Sequence, residues 1–530
     1  MGDYRPNEQQ QAVLDDVARG EGNTIVSARA GTGKTSAILA SLAFIPERER
    51  RETVLVAFNA DIAKVLKAKA PAGVDVKTMH ALGLRACGKA FGQVAVDKFR
   101  GRRIAEEVSG ADKDARKREW ATSLHRVVAR CKSVMAVTAE QVDGVIDALS
   151  PDHPEDPVEL LRCQEPSCRR WSPVLSDEVC GHAGCRGKLV REVKDDRPEF
   201  IRQVLRCLER AQYDLEPSDV GGEPERRHPR EVDFDDMCFL PVAMNLKMPK
   251  YVRVFADEVQ DLSTVQHRLV VGSLARGGRF CVIGDDRQQI YQFRGVSEGV
   301  MRELRDELGA KELPMTTTYR CGKAIVREAQ KLVPDFRAGP DQHEGSVEDA
   351  TVQRMRREVA PGDFILSRVN APLMGLCLSF LREGRRATIK GRSVGAKLQA
   401  LVRRSKAETV QDLVEWIGKW CARECEKLAA KGESTEGVLD VRACLLAVAE
   451  GARDAADVQG KLARLFDDED DATCITLSTV HRAKGLERDR VWLLRDTFWP
   501  ERSQAEQNLL YVAITRAIHT LFLVRGRVDA

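Results

Sequence analysis

The run Ala30-Gly31-Thr32-Gly33-Lys34-Thr35 constrains this chain more than any other segment. It follows a short β-prone stretch, Thr24-Ile25-Val26-Ser27, and leads into Ser36-Ala37-Ile38-Leu39-Ala40, which continues as a helix. Strand, glycine loop and helix in that order is the setting in which backbone N–H groups close around phosphate oxygens. Glycine leaves room for the anion and tolerates the positive φ that lets those groups converge. Lys34 then reaches the β and γ phosphates and the Thr35 hydroxyl holds Mg²⁺. The full pattern G-x-x-x-x-G-K-[ST] has glycine where this chain has Ala28.

Further buried-strand patterns place the loop in a parallel α/β sheet. Val54 to Phe58, Val252 to Ala256 (just before Asp257) and Phe280 to Ile283 (just before Gly284) are apolar runs ending in polar residues. Ligands of such sheets sit at the carboxyl ends of the strands. The pattern predicts a first α/β domain from 1–91 and 231–312, interrupted by a charged, mostly helical insertion over 92–230. A second α/β domain is predicted over 313–395 and 472–530, with strands at Phe364 to Arg368, Cys474 to Leu477, Val491 to Leu494 and Leu521 to Val524. A small helical insertion over 396–471 interrupts it and ends in the acidic run Asp467 to Asp471, read as a solvated linker.

With 530 residues the chain exceeds one ordinary core. Its 43% hydrophobic and 31% charged residues fit a globular protein, and a net charge of +3 argues little for a nucleic-acid partner, so any groove must be argued locally. No apolar run reaches the roughly 18 residues a membrane span needs. The polar start lacks the core of a signal peptide, and Pro6 breaks the myristoylation pattern. Fifteen cysteines without a secretory signal read as reduced thiols, in the cytosol, or the nucleus if the source has one. Four of them are spaced for a metal. Cys163-x4-Cys168 and Cys180-x4-Cys185 can surround one structural Zn²⁺, with His182 as a substitute ligand. Cys421 and Cys425, one helical turn apart, are read as unliganded.

Asp257 can reach the magnesium shell, and Glu258 can orient or deprotonate an attacking water. Gln288 is placed to report the γ-phosphate. In this setting nucleotide cleavage, not binding alone, is the expectation.

These residues fall in an ordered motif series that resembles the UvrD/Rep/PcrA group of superfamily 1 DNA helicases. Asn7-Glu8-Gln9 resembles the Q motif and the glycine loop resembles motif I. Ala57-Phe58-Asn59 and Thr78-Met79-His80-Ala81-Leu82 resemble the early DNA-contact motifs. Asp257-Glu258-Val259-Gln260-Asp261 is similar to motif II, Gly284 through Gly295 to motif III, and Thr318-Tyr319-Arg320 to motif IV. Thr479 through Glu487 resembles motif V, and Leu510 through Ala517 motif VI. The short segment between motifs IV and V looks closer to the small F-box-type and phage-type relatives, although no F-box is apparent.

The resemblance implies two RecA-like domains with ATP between them. It also implies that Gln9 reads adenine, Tyr319 stacks on it, Glu487 contacts the ribose, and Arg320 and Arg516 act as arginine fingers. Bases of single-stranded DNA would stack on Phe58, Tyr291 and Phe293, with His80 and His481 as further contacts. Family members usually carry Trp at the place of Phe293, so the grip there is smaller. The expected activity is ATP-driven 3′→5′ movement on single-stranded DNA with unwinding of tailed duplexes. The alternative is a nucleic-acid-binding regulatory ATPase without processive unwinding. A monomer or weak self-association is expected, with no membrane partner.

Overall fold

The computed structural model describes residues 5–111, 115–149, 158–163, 171–172, 189–194, 197–216, 225–292, 296, 299–429, 435–466 and 473–526. The chain divides into two compact units. The first comprises Met1–Ala86, Met248–Glu426 and Ser434–Ala530; the second is built mainly from Cys87–Lys247.

Two six-stranded sheets organise the first unit. In the first lobe the strands are β1 (Thr24–Ala28), β2 (Thr53–Ala57), β3 (Asp75–Thr78), β4 (Tyr251–Ala256), β5 (Leu274–Gly284) and β6 (Lys311–Met315), in the order β6-β1-β5-β4-β2-β3. Every pairing is parallel. All five residues of β2 are buried, as an apolar run covered on both faces must be. The second lobe has β7 (Ser346–Thr351), β8 (Phe364–Ser367), β9 (Ala387–Ile389), β10 (Ile475–Thr479), β11 (Arg488–Leu494) and β12 (Ala517–Arg525), ordered β7-β12-β11-β8-β10-β9. It too is wholly parallel. The α/β expectation is therefore borne out.

The boundary between the lobes differs from the sequence reading. Residues 311–315 pair with β1, so the first lobe continues past 312 and the second begins later than 313. The exposed Lys311, Glu312 and Pro314 of β6 hide an edge strand whose buried partners are only Leu313 and Met315. Over the stretch read as a small helical insertion lie the helices Arg392–Ser405, Val410–Ala429, Glu436–Ala449 and Ala455–Leu465. Leu413, Ile417, Leu445, Val448 and Leu462 pack into the same core as Ile365 and Leu477 of the second sheet, so this insertion is no separate body. The acidic run at 467–471 lies outside the described residues.

The second unit holds the helices Arg100–Ser109, Ala115–Val134, Ala139–Leu149, Arg197–Gln212 and Phe234–Ala243. Inside it, the fully buried Asp236 accepts from Arg100 Nη1 and from Lys132 Nζ, both at 2.6 Å. The unit also contains antiparallel strands, Val158–Cys163 flanked by Trp171–Ser172 and Leu189–Lys194. These strands add to the mostly helical reading of the insertion, whose described residues are still chiefly helical. Cys168, Cys180 and Cys185 lie outside the described residues, as does the side chain of Cys163. Among the described residues no helix is long and apolar enough to cross a membrane.

Candidate nucleotide site between the two lobes

The glycine loop leaves β1 and opens the helix Lys34–Leu42. Gly33 caps that helix with φ 79°, a left-handed conformation, and as glycine it offers no side chain to cap the first turn. The N–H groups there and the positive helix end suit an anion. Gly31 also has a positive φ of 67°, and a Cβ on it would lie 2.6 Å from Arg320 Cβ. Glycine at 31 is thus required twice, by its backbone conformation and by the approach of the second lobe.

A cavity of about 270 Å³ opens at this point. Its wall includes Gly31 to Thr35, Glu258 and Gln288 from the first lobe, and Arg320, Lys484 and Arg516 from the second. Lys34 and Arg516 are separated by hundreds of residues in sequence and share this one cavity. The motif residues quoted from the sequence thus converge, with two exceptions in emphasis: Phe58 and Tyr291, expected on a DNA track, line this cavity too.

The carboxylates are arranged for a divalent cation. Thr35 Oγ1 donates to Asp257 Oδ2 at 3.0 Å, which places a hydroxyl and a carboxylate side by side. Burial, then the neighbouring Glu258, pushes Asp257 up to about 6. A buried acidic pair with hard oxygen donors fits Mg²⁺, whose charge would offset that cost. Burial also raises the Glu258 carboxyl, but Lys34 and Lys484, with a hydrogen bond from Gln260, hold it net below the usual range. Glu258 sits at φ 55°, a left-handed backbone that costs a non-glycine residue of order 1–3 kcal/mol. Strain of this size, kept at a carboxylate facing the cavity, is typical of functional positions.

From the other lobe, Arg516 is 1% exposed. Its guanidinium donates to the carbonyls of Val512 (2.9 Å) and Leu486 (3.2 Å) and to Thr515 Oγ1 (3.2 Å), an orientation fixed by backbone. Burial, then Arg320, lowers it to about 10. Arg320 is paired with Glu487, the residue expected at the ribose. Gln9 is likewise engaged within the protein: its Oε1 accepts from Thr316 N–H at 2.9 Å and its Nε2 donates to Thr316 Oγ1 at 3.1 Å. Tyr319 is 46% exposed, and its hydroxyl accepts from Asn7 Nδ2 at 2.7 Å.

Among the DNA candidates, Tyr291 donates its hydroxyl proton to the carbonyl of His481 at 2.9 Å, and its ring lies 5.0 Å from Lys484 Nζ. His80 is half-buried and burial lowers its pKa. Phe293 lies outside the described residues.

Three cross-lobe residues carried no role in the sequence reading. Lys484 pairs with Asp261 of the first lobe and donates to the carbonyl of Gln288 at 2.8 Å. Tyr511 Oη accepts from Ala30 N–H at 3.0 Å, and Asn508 Nδ2 donates to the carbonyls of Asp286 and Gln289. All three stand inside or beside motifs V and VI, but their partners lie more than 190 residues away, and no local signal names them.

Family models agree with this geometry. The UvrD/REP helicase N-terminal domain matches residues 6–308, more than half of the chain, and the UvrD-like helicase C-terminal domain matches residues 475–524. The chain belongs to the UvrD/REP helicase family. It is 27% identical over 132 residues to the ATP-dependent DNA helicase PcrA of Bacillus subtilis, covering 23% of this chain and 18% of that protein. It is 32% identical over 112 residues to the ATP-dependent DNA helicase Rep of Escherichia coli, covering 19% of this chain and 16% of that one. These alignments span less than a fifth of either relative. The N-terminal match contains the phosphate loop and motif II and also spans the second unit, and the C-terminal match contains motifs V and VI.

Proposed function

We propose that this protein hydrolyses ATP at the cavity between its two parallel lobes and uses the cycle to move 3′→5′ along single-stranded DNA, unwinding duplex ahead of it. The observation that carries the reading is one wall shared by Lys34, Glu258 and Gln288 from one lobe and by Arg320 and Arg516 from the other. A cavity so built changes shape when the lobes move, so phosphate chemistry and domain motion are mechanically the same event.

In this reading Thr35 and Asp257 would hold Mg²⁺, which would supply neutralisation of phosphate charge. Glu258 accepts the proton of the attacking water, and its depressed pKa keeps it ionised and ready at neutral pH. Lys34, Arg320 and Arg516 are fixed cations around the γ-phosphoryl oxygens, so they stabilise charge there without reorganising. Gln288 contacts the γ-phosphate. Gln9 reads adenine by exchanging its Thr316 partners, Tyr319 stacks on the base, and Glu487 turns from Arg320 to the ribose. Phe58, Tyr291, Phe293, His80 and His481 grip the DNA. The domain plan is that given by the sequence, with the first lobe extended through Met315. Cys163, Cys168, Cys180 and Cys185 would hold a structural zinc ion that ties the insertion together, a reading supported by the spacing of the two pairs.

Strand displacement on duplexes with a 3′ tail, a 5′ tail or no tail, with ATP and Mg²⁺, tests the reading. Displacement restricted to the 3′-tailed duplex is expected. Displacement from the 5′ tail alone, or from none, refutes it.

A further inference from the structure

Three successive residues of the phosphate loop are held from the second lobe. The Arg29 guanidinium forks onto Asp335, with Nε 3.2 and 3.0 Å from the two carboxylate oxygens and Nη2 at 2.8 Å. Ala30 N–H donates to Tyr511 Oη, and the Gly31 carbonyl accepts from Tyr319 N–H at 2.9 Å. Asp335 is itself anchored, because the adjoining Phe336 is fully buried and packs edge-on against Tyr511, ring centroids 5.7 Å apart.

Arg29 does not end at Asp335. Its Nη1 lies 3.2 Å from Asp285 Oδ1 and also meets Asp286. Asp285 is fully buried, and its second oxygen accepts from Gln288 Nε2 at 2.5 Å. Gln288 lines the cavity. One guanidinium therefore joins a carboxylate of the second lobe to the carboxylate that orients the Gln288 amide. The arginine side chain is only 13% exposed, so this geometry is weakly screened. A bidentate guanidinium–carboxylate pair is directional, and a lysine at 29 would not reproduce it.

We propose that Arg29 is a positioning residue: when the second lobe closes, Asp335 fixes Arg29, Arg29 fixes Asp285, and Asp285 turns the Gln288 amide toward the γ-phosphate. This rests on the hydrolysis reading above. Arg29 touches no reacting atom; it makes the orientation of Gln288 depend on lobe closure.

The test is Asp335→Ala, because Asp335 is 49% exposed and its truncation leaves the fold and the cavity wall intact. An interaction made only in the closed, reacting state lowers kcat and kcat/KM together and leaves KM in place. The DNA-stimulated kcat is expected to fall about tenfold, the size expected for losing a charge-assisted bond. The KM for ATP, the Kd for single-stranded DNA and the melting temperature stay within experimental error of wild type. In Gln288→Ala the same Asp335→Ala change has no further effect, since the terminus of the chain of contacts is already gone. Asp335→Glu, which keeps a carboxylate, recovers part of the rate. Full kcat in Asp335→Ala, or independent multiplicative losses in the double variant, overturns the proposal while leaving the hydrolysis reading intact. A wild-type chain that turns over no ATP with single-stranded DNA overturns both.

Discussion

Lys484→Met tests whether a buried ion pair ties the two lobes together. The side chains of Lys484 and Asp261 are 10% and 2% exposed, and their contact crosses from motif V to motif II. Burial pushes the Asp261 carboxyl from 3.8 up to about 6 even though Lys484 pulls it down. Removing one partner of a buried pair costs about 3–5 kcal/mol, because the other charge is left uncompensated. That cost has a pH signature. A carboxyl whose folded pKa exceeds its unfolded value makes the protein lose stability as pH rises from the unfolded to the folded pKa, and the loss is complete above the latter. Without Lys484 the folded pKa of Asp261 rises further, so the deficit of the variant is greatest at pH 8. Near pH 5 Asp261 is protonated in the variant, and the deficit shrinks to about 1 kcal/mol, the value of the lost hydrogen bond to the Gln288 carbonyl. Thermal unfolding of wild type, Lys484→Met, Asp261→Asn and the double variant at pH 5 and pH 8 supplies the measurement. The double variant is expected to regain most of the stability lost at pH 8. Equal deficits at both pH values, or a double variant no better than Lys484→Met, would refute the reasoning.

Other outcomes follow from the same geometry. Lys34→Ala and Glu258→Gln each lower ATP turnover by at least about 100-fold while single-stranded DNA binding, read by fluorescence anisotropy, changes only a few-fold; normal turnover in either removes that residue from the site. Arg516→Ala lowers kcat by about 10³-fold or more, as loss of an arginine finger does, and also lowers the melting temperature, since three hydrogen bonds anchor this buried side chain. Elemental analysis of the purified chain finds one zinc per molecule, and Cys180→Ser lowers it; a metal-free wild type rules out the cysteine site.

Much of the first lobe was legible because buried parallel strands write themselves as short apolar runs. Thr24 to Ser27, Val54 to Phe58 and Val252 to Ala256 appear as strands within a residue or two of the expected bounds. The strands that escaped notice are those with exposed or short apolar content, such as Lys311–Met315, Ser346–Thr351 and Ala387–Ile389, where one or two inward residues carry no period. The site was legible at Lys34, Thr35, Asp257 and Glu258 because their chemistry fixes their spacing from a glycine loop or a strand end. It was not legible at Arg29, Asp335 and Tyr511, whose partners are distant in sequence and whose residue types are ordinary on any surface. Gln9 and Glu487 illustrate a further limit: motif position assigns them to a nucleotide, whereas packing shows them paired with Thr316 and Arg320.

Phosphate release from ATP, measured with and without single-stranded DNA in wild type and Glu258→Gln, tests the central claim most directly. Wild-type turnover that rises at least tenfold on adding the strand, and vanishes in Glu258→Gln, is the predicted result. Turnover indifferent to DNA, or surviving the loss of the Glu258 carboxylate, would contradict an account in which closing lobes around this cavity drives the chemistry.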